Sequence, residues 1–223
     1  PKVVKGAHDH LDWPALKARA AGCFDCPLGQ SRQSSVWGTF LNTPDDDTAT
    51  KSIDLLIITD PPDDAAQSAG HPLGQPDGAA SQLVANMVRA MGRSLMGSSA
   101  TDPRVFLTNI TKCRLPNGER LDDAHIQACR HYIDRAIDLL HPRLILAFGR
   151  AAGQMLMTDS SAAAAPSPVG RLRGTVRAYR GTPWVATFTP QYLLRNPLEK
   201  AKAWEDCCLG LSALSDHTGA PTH

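Results

Sequence analysis

The sequence lacks a surplus of either charge: 23 Lys and Arg face 22 Asp and Glu, a formal net charge of +1. The overall basic excess of a general nucleic-acid binder is absent, so any nucleic-acid site has to be a local patch. Also missing is an apolar run approaching the roughly 20 residues that span a bilayer, and no basic segment followed by an apolar core opens the chain. Membrane insertion and secretion therefore find no support, and the expected compartment is the cytoplasm. A chain that opens at Pro1 rather than Met is expected to be trimmed or partial. No internal repeat is present. What remains, 42% hydrophobic and 20% charged over 223 residues, describes a soluble globular protein able to bury one sizeable core. A single domain over 1–223 is expected, with its core at about 21–214 and an irregular tail at 215–223.

Strand-like and helix-like stretches alternate along the chain. Asp12 before WPALKARAAG supplies a cap, an early proline and a short helix that leads into Cys23 and Cys26. Ile53 to Thr59 is a short, apolar, β-branched run suited to a buried strand, followed by a Pro- and Gly-dense stretch from Asp60 to Gly78 that is expected to be irregular. A helix in SQLVANMVRAMG, a strand ending at Asn109 and a helix capped by Asp122 and running to Leu140 come next. A third strand from Arg143 to Phe148 and a helix from Arg150 to Met157 complete the alternation. SSAAAAPSP at 160–168 reads as a surface loop. Arg171, Arg173 and Arg177 alternate with Leu172, Val176 and Ala178, which predicts a strand with arginines on one face. After WVATF comes TFTPQYLLRNP, a shaped loop, and then a closing helix from Leu198 to Leu214. The pattern predicts an α/β fold, a three-layer α/β/α sandwich with a mostly parallel central sheet.

Cysteine is the most telling residue type. Cys23 and Cys26 form a C-x-x-C pair, Cys113 follows a predicted strand end, and Cys129 lies about two turns into the next helix. Four thiolates brought together this way can hold zinc or an iron–sulfur cluster, and spacing alone leaves both open, as it does a plain packing role for Cys129. Cys207 and Cys208 are adjacent on the closing helix and read as packing.

CFDCPLGQSR, a strand ending in a proline loop, GHPLGQ, TNITKCRLP, Cys129, RLILAFGRAA and TPQYLLRNPLEKAKAW stand in a telling order. It resembles that of the family 4 and family 5 uracil-DNA glycosylases that carry a [4Fe-4S] cluster, over Ala21 to about Trp204. The resemblance implies that Cys23, Cys26, Cys113 and Cys129 are the cluster ligands. It also implies that the partner is DNA containing uracil or another deaminated base, bound by a monomer in base excision repair. Asn109 would read the Watson–Crick edge of the base.

Departures from the family pattern fall on the pocket. Asp60 stands in the place of a glutamate that orients water or stabilises the sugar cation, and Pro61 offers no backbone N–H. Leu73 replaces an aromatic that stacks on the flipped base, and Thr189 replaces a histidine donor. His71 is a candidate substitute donor, whereas His125, His131 and His141 read as surface residues. Arg171, Arg173, Arg177, Arg195, Lys200 and Lys202 form a candidate phosphate-binding strip, and Tyr192 and Leu193 a candidate wedge. The expected activity is hydrolysis of the N-glycosidic bond of a flipped base, in weak or altered form. The alternatives are an inactive iron–sulfur DNA-binding module and a zinc site in an unrelated α/β protein.

Overall fold

A computed structural model describes residues 10–41, 52–96, 103–157 and 168–217. Among the described residues, nine helices and six strands run in the order α1 (Trp13–Ala21), α2 (Pro27–Ser31), β1 (Thr39–Phe40), β2 (Leu55–Thr59), α3 (Asp64–Ala69), α4 (Ala79–Met96), β3 (Val105–Asn109), α5 (Asp123–Leu140), β4 (Leu144–Phe148), α6 (Gly149–Met157), α7 (Val169–Leu172), β5 (Arg177–Tyr179), β6 (Thr182–Thr187), α8 (Pro190–Arg195) and α9 (Lys200–His217). A single 3-10 turn, Pro197–Glu199, joins the last two. The strands form one sheet in the order β1-β3-β2-β4-β6-β5. β3, β2, β4 and β6 are parallel, and the two edge strands are antiparallel.

Side-chain alternation along the central strands builds the three layers. From β2, Leu56 and Ile58 join Trp13, Leu16, Ile133, Ile137 and Met155 in one core, beneath α1, α5 and α6. Leu55 and Ile57 point the other way, to Val84, Val88, Met91 and Cys207 from α4 and α9. Both faces of the strand are thus dry, and each fully buried Leu or Ile contributes about 2 kcal/mol. The Ile126, Cys129, Ile133, Ile137 and Leu140 stripe of α5 is buried as its spacing predicts.

The chain leaves β2 toward one edge of the sheet and β4 toward the other, so connections diverge above the C-terminal ends of these neighbours. Such a switch point leaves a crevice. Asp60 follows β2 there, Gly149 follows β4, and Thr189 stands two residues beyond β6.

Several expectations need correction. The Pro- and Gly-dense stretch contains α3, because Asp63 Oδ1 accepts from the Ala66 N–H at 2.8 Å and Gly70 closes the helix at φ 64°. Arg171 to Ala178 is not one strand: α7 and a turn at Gly174 precede a short β5, so the arginines do not share a face. The TFTPQYLLRNP loop holds α8, and the closing helix runs from Lys200 to His217, into the segment expected to be irregular. The predicted loop at 160–168 lies outside the described residues except for Pro168, and so does the tail beyond His217.

Candidate active site and cysteine cradle

Asp60, Gly149 and Thr189 meet on the floor of a groove of about 1190 Å³. Their closeness is set by the absence of a side chain: a Cβ on Gly149 would lie 2.7 Å from Thr189 Cγ2 and 3.0 Å from Asp60 Oδ1. Gly149 also sits at φ 89°, where an L side chain is strained. Burial pushes the Asp60 carboxyl up to about 6, opposed by the charge of Arg150. Arg150 is exposed in the groove. Sequence reasoning passed over it, although a Gly-Arg directly after an apolar strand was the available signal. Thr189 caps α8, its Oγ1 accepting from the Tyr192 N–H at 3.3 Å, which leaves the hydroxyl proton free to be donated.

Asn109 lies behind this floor, 1% exposed. Its Nδ2 donates to the carbonyls of Asp60 at 2.8 Å and Pro72 at 3.0 Å, tying the two pocket loops together. Two carbonyls at one end fix the amide orientation. Its Oδ1 is buried without a partner, so the donor expected for a base edge is already committed and only the acceptor remains. Leu73 is 7% exposed and packs with Val84, Val88 and Phe148. Pro61 lines the groove. His71 is half-buried, and burial holds it below the usual histidine range. Its Nδ1 accepts from the Leu73 N–H at 3.4 Å.

The rim differs from expectation. Leu193 is 1% exposed, which removes it as a wedge, whereas its neighbour Leu194 is exposed. Tyr192 lines the groove and stacks on Phe188, with centroids 4.8 Å apart and a 24° interplanar angle. Arg173 turns inward, its Nε 2.6 Å from Asp206 Oδ2 and its Nη2 donating to Lys202 O at 2.6 Å. Arg177 donates to Leu172 O at 2.8 Å, and Lys202 pairs with Glu199 at 2.9 Å. Arg171, Arg195 and Lys200 are exposed, without ion pairs among the described residues. His125 is buried rather than on the surface, in a capping box with Asp122 and 3.3 Å from Glu119. His131 is partly buried, and His141 ends α5 at φ 43°.

The four predicted cysteines are free and buried. Gly29 lets the C-x-x-C loop fold tightly onto α2, since a Cβ there would meet Cys23 O at 2.7 Å. Polar groups already attend the sulfurs. Arg32 Nη1 donates to Cys113 Sγ at 3.2 Å, and the Lys112 backbone beside Cys129 favours the ionised form of that thiol. Burial pushes the Cys129 thiol up to about 12, while Cys113 and Cys26 raise it further. The Lys112 ammonium is buried and held down to about 7 by that burial. It donates to Thr108 Oγ1 and, at 3.1 Å, to Asn109 O, which links the cysteine side of the fold to the pocket.

Among the described residues no group of three or more His, Cys, Asp or Glu is arranged to hold a metal ion. Tetrahedral zinc at about 2.3 Å from each sulfur would need such a tight group. In a [4Fe-4S] cluster each thiolate binds a separate iron, so wider spacing suffices. Cys113 lies near enough to Cys23 and Cys26, and Cys129 to Cys26 and Cys113, for charge on one thiol to act on another, and the Arg32 N–H aimed at Cys113 Sγ suits a thiolate ligand.

Fold and site together define a doubly wound α/β protein with a carboxylate, a hydroxyl and a buried amide gathered where connections diverge. The model of the Uracil DNA glycosylase superfamily matches residues 47–208, and the chain belongs to that family. It is similar to the Type-4 uracil-DNA glycosylase of Pyrobaculum aerophilum, 26% identical over 205 residues, covering 89% of this chain and 93% of the relative. The Type-4 uracil-DNA glycosylase of Thermotoga maritima is 25% identical over 182 residues, covering 81% and 82%. That of Saccharolobus solfataricus is 26% identical over 166 residues, covering 74% and 67%. Among the described residues no helix is long and apolar enough to cross a membrane.

Proposed function

We propose that this chain hydrolyses the N-glycosidic bond of a deaminated base flipped out of DNA, as a step of DNA repair. The observation that carries the reading is the meeting of Asp60 and Thr189 across Gly149, with the orphaned Asn109 Oδ1 behind them. Asn109 Oδ1 takes a donor at the pairing edge of the base, such as the ring N–H of uracil or hypoxanthine. Pairing the buried Oδ1 with such a donor also removes the cost of leaving it unsatisfied, about 1–3 kcal/mol.

Asp60, ionised above about pH 6, orients the attacking water and stabilises positive charge developing on the sugar. The Thr189 hydroxyl donates toward the departing base. A threonine reaches less far than the family's histidine, and Leu73 stacks less well than its aromatic, so turnover slower than in relatives is expected. Cys23, Cys26, Cys113 and Cys129 would hold a [4Fe-4S] cluster. When bound, the cluster supplies a structural cross-link between the N-terminal loop and the β3–α5 unit.

The test incubates purified holoprotein with single- and double-stranded DNA carrying uracil or hypoxanthine, followed by alkaline cleavage. Strand breaks at the modified base, lost in Asp60→Ala and Asn109→Ala, are expected. DNA binding without breaks would favour the second reading, an inactive binding module, which the Leu73 and Thr189 replacements support. Iron content and a brown colour check the cluster, and bound zinc would overturn it.

A further inference from the structure

The geometry points to Arg173 as a positioning residue that sets the Tyr192 ring for stacking against a nucleobase at the groove rim, an inference that rests on the DNA reading above. The arginine is poorly placed for a phosphate contact, because its side chain is 13% exposed and its Nε and Nη2 are already engaged. Asp206, 3% exposed, takes Nε at 2.6 Å, and Lys202 O takes Nη2. Both anchors lie on α9, so the guanidinium is bolted to the long closing helix rather than to the turn that carries it.

The guanidinium carbon sits 4.3 Å from the Phe188 ring centroid, and Tyr192 stacks on Phe188 at 4.8 Å. Phe188 thus contacts both groups, and the contacts run in the order Asp206, Arg173, Phe188, Tyr192. The anchored end is charged and buried, and the free end is an aromatic ring in the groove that holds Asp60 and Thr189.

Such a stack has a purpose beyond packing. Cation–π contact with a held guanidinium fixes the Phe188 plane, and Phe188 in turn fixes Tyr192, which α8, six residues long, would otherwise hold only loosely. A ring preset in this way stacks on a base without the cost of ordering it. The base it takes is the neighbour of the extruded nucleotide, whose stacking partner has been removed. Duplex DNA gains more from this support than single-stranded DNA, because only the duplex has a stack to repair.

The experiment compares wild-type holoprotein with Arg173→Lys, which keeps the charge beside Asp206 but loses the planar fork, and with Asp206→Asn. Dissociation constants are measured for a duplex with a tetrahydrofuran abasic site flanked by 2-aminopurine, and for the same strand alone. Arg173→Lys should lose about tenfold more affinity on the duplex than on the single strand, within the range for one base stack. Its 2-aminopurine emission should also rise, as the base loses its partner. Asp206→Asn should change the ratio in the same direction. Equal losses on both DNAs, or an unchanged ratio in Arg173→Lys with a lowered melting temperature, would overturn the inference and leave Arg173 as a packing residue. Wild-type protein that bound neither DNA would overturn the DNA reading itself, and the inference with it.

Discussion

Burial raises the Asp60 carboxyl to about 6, and the same burial that excludes bulk water makes the ionised form costly. Its folded value lies above its ordinary one, so the fold favours the protonated group, and stability falls as pH rises from about 4 through about 6. Activity has the opposite sign, since the proposed role needs the carboxylate. Excision is expected to decline as pH drops through about 6, in a pH–rate profile of single-turnover excision. Arg150→Met removes the charge that opposes the shift and should move that acid limb to higher pH. Asp60→Asn should melt at a higher temperature than wild type at pH 8 while losing excision. A limb that stayed put in Arg150→Met would count against coupling between these groups.

Gly149 makes a second argument at this scale. Ala there would bring both φ strain, roughly 1–2 kcal/mol, and a Cβ 2.7 Å from Thr189 Cγ2. Gly149→Ala is expected to lose excision by forcing Asp60 and Thr189 apart, with a destabilisation of about 2 kcal/mol by urea denaturation. Wild-type stability and rate together would mean that the three residues are not in contact.

The long elements were legible because one rule dominates each of them. Ile53 to Thr59 has apolar residues on both faces, and β2 is buried on both. The Asp122 cap and the α5 stripe were read correctly for the same reason. Short elements obey local caps that composition hides. Asp63 and Gly70 bracket α3 within a stretch whose proline content argues against a helix, and Thr189 begins α8 inside what reads as a loop. The arginine alternation was misleading because a period of two over seven residues also fits a helix turn followed by a short strand. The place of Asp60, Asn109 and Thr189 was legible from motif order. The commitment of Asn109 Nδ2 and of Arg173 depends on long-range packing that no local pattern records.

Thr189 carries the prediction that belongs to α8. Replacing the hydroxyl that caps the helix costs about 1 kcal/mol, whereas a preorganised donor at this point is worth about 3–4 kcal/mol in the transition state. Thr189→His is therefore expected to raise single-turnover excision of uracil by about 100-fold while lowering the melting temperature slightly. A slower enzyme would show that the pocket no longer admits the histidine donor, and that Asp60 and Thr189 are not spaced for it.

For the whole molecule the decisive quantity is how many cations remain free to meet DNA. The near-neutral charge, +1, requires a local strip, and of the six side chains expected to form it, three are already engaged. Arg173 is held by Asp206, Arg177 by the Leu172 carbonyl and Lys202 by Glu199. Arg171, Arg195 and Lys200 remain exposed. The groove wall sets Asp63, Asp64, Glu119, Asp122 and Asp123 against Arg114, Arg120 and Arg150, so it adds no net cationic surface for phosphates. With about three phosphate contacts, the slope of log K against log salt should be about −3, from about −0.9 per contact on duplex DNA. Measured by fluorescence anisotropy between 50 and 300 mM salt, a slope near −5 would mean that the engaged cations release their partners on binding. A slope near −3 that drops by about one unit in Arg195→Gln would place that arginine on a phosphate. It would also leave stacking and base recognition, rather than charge, as the main source of affinity.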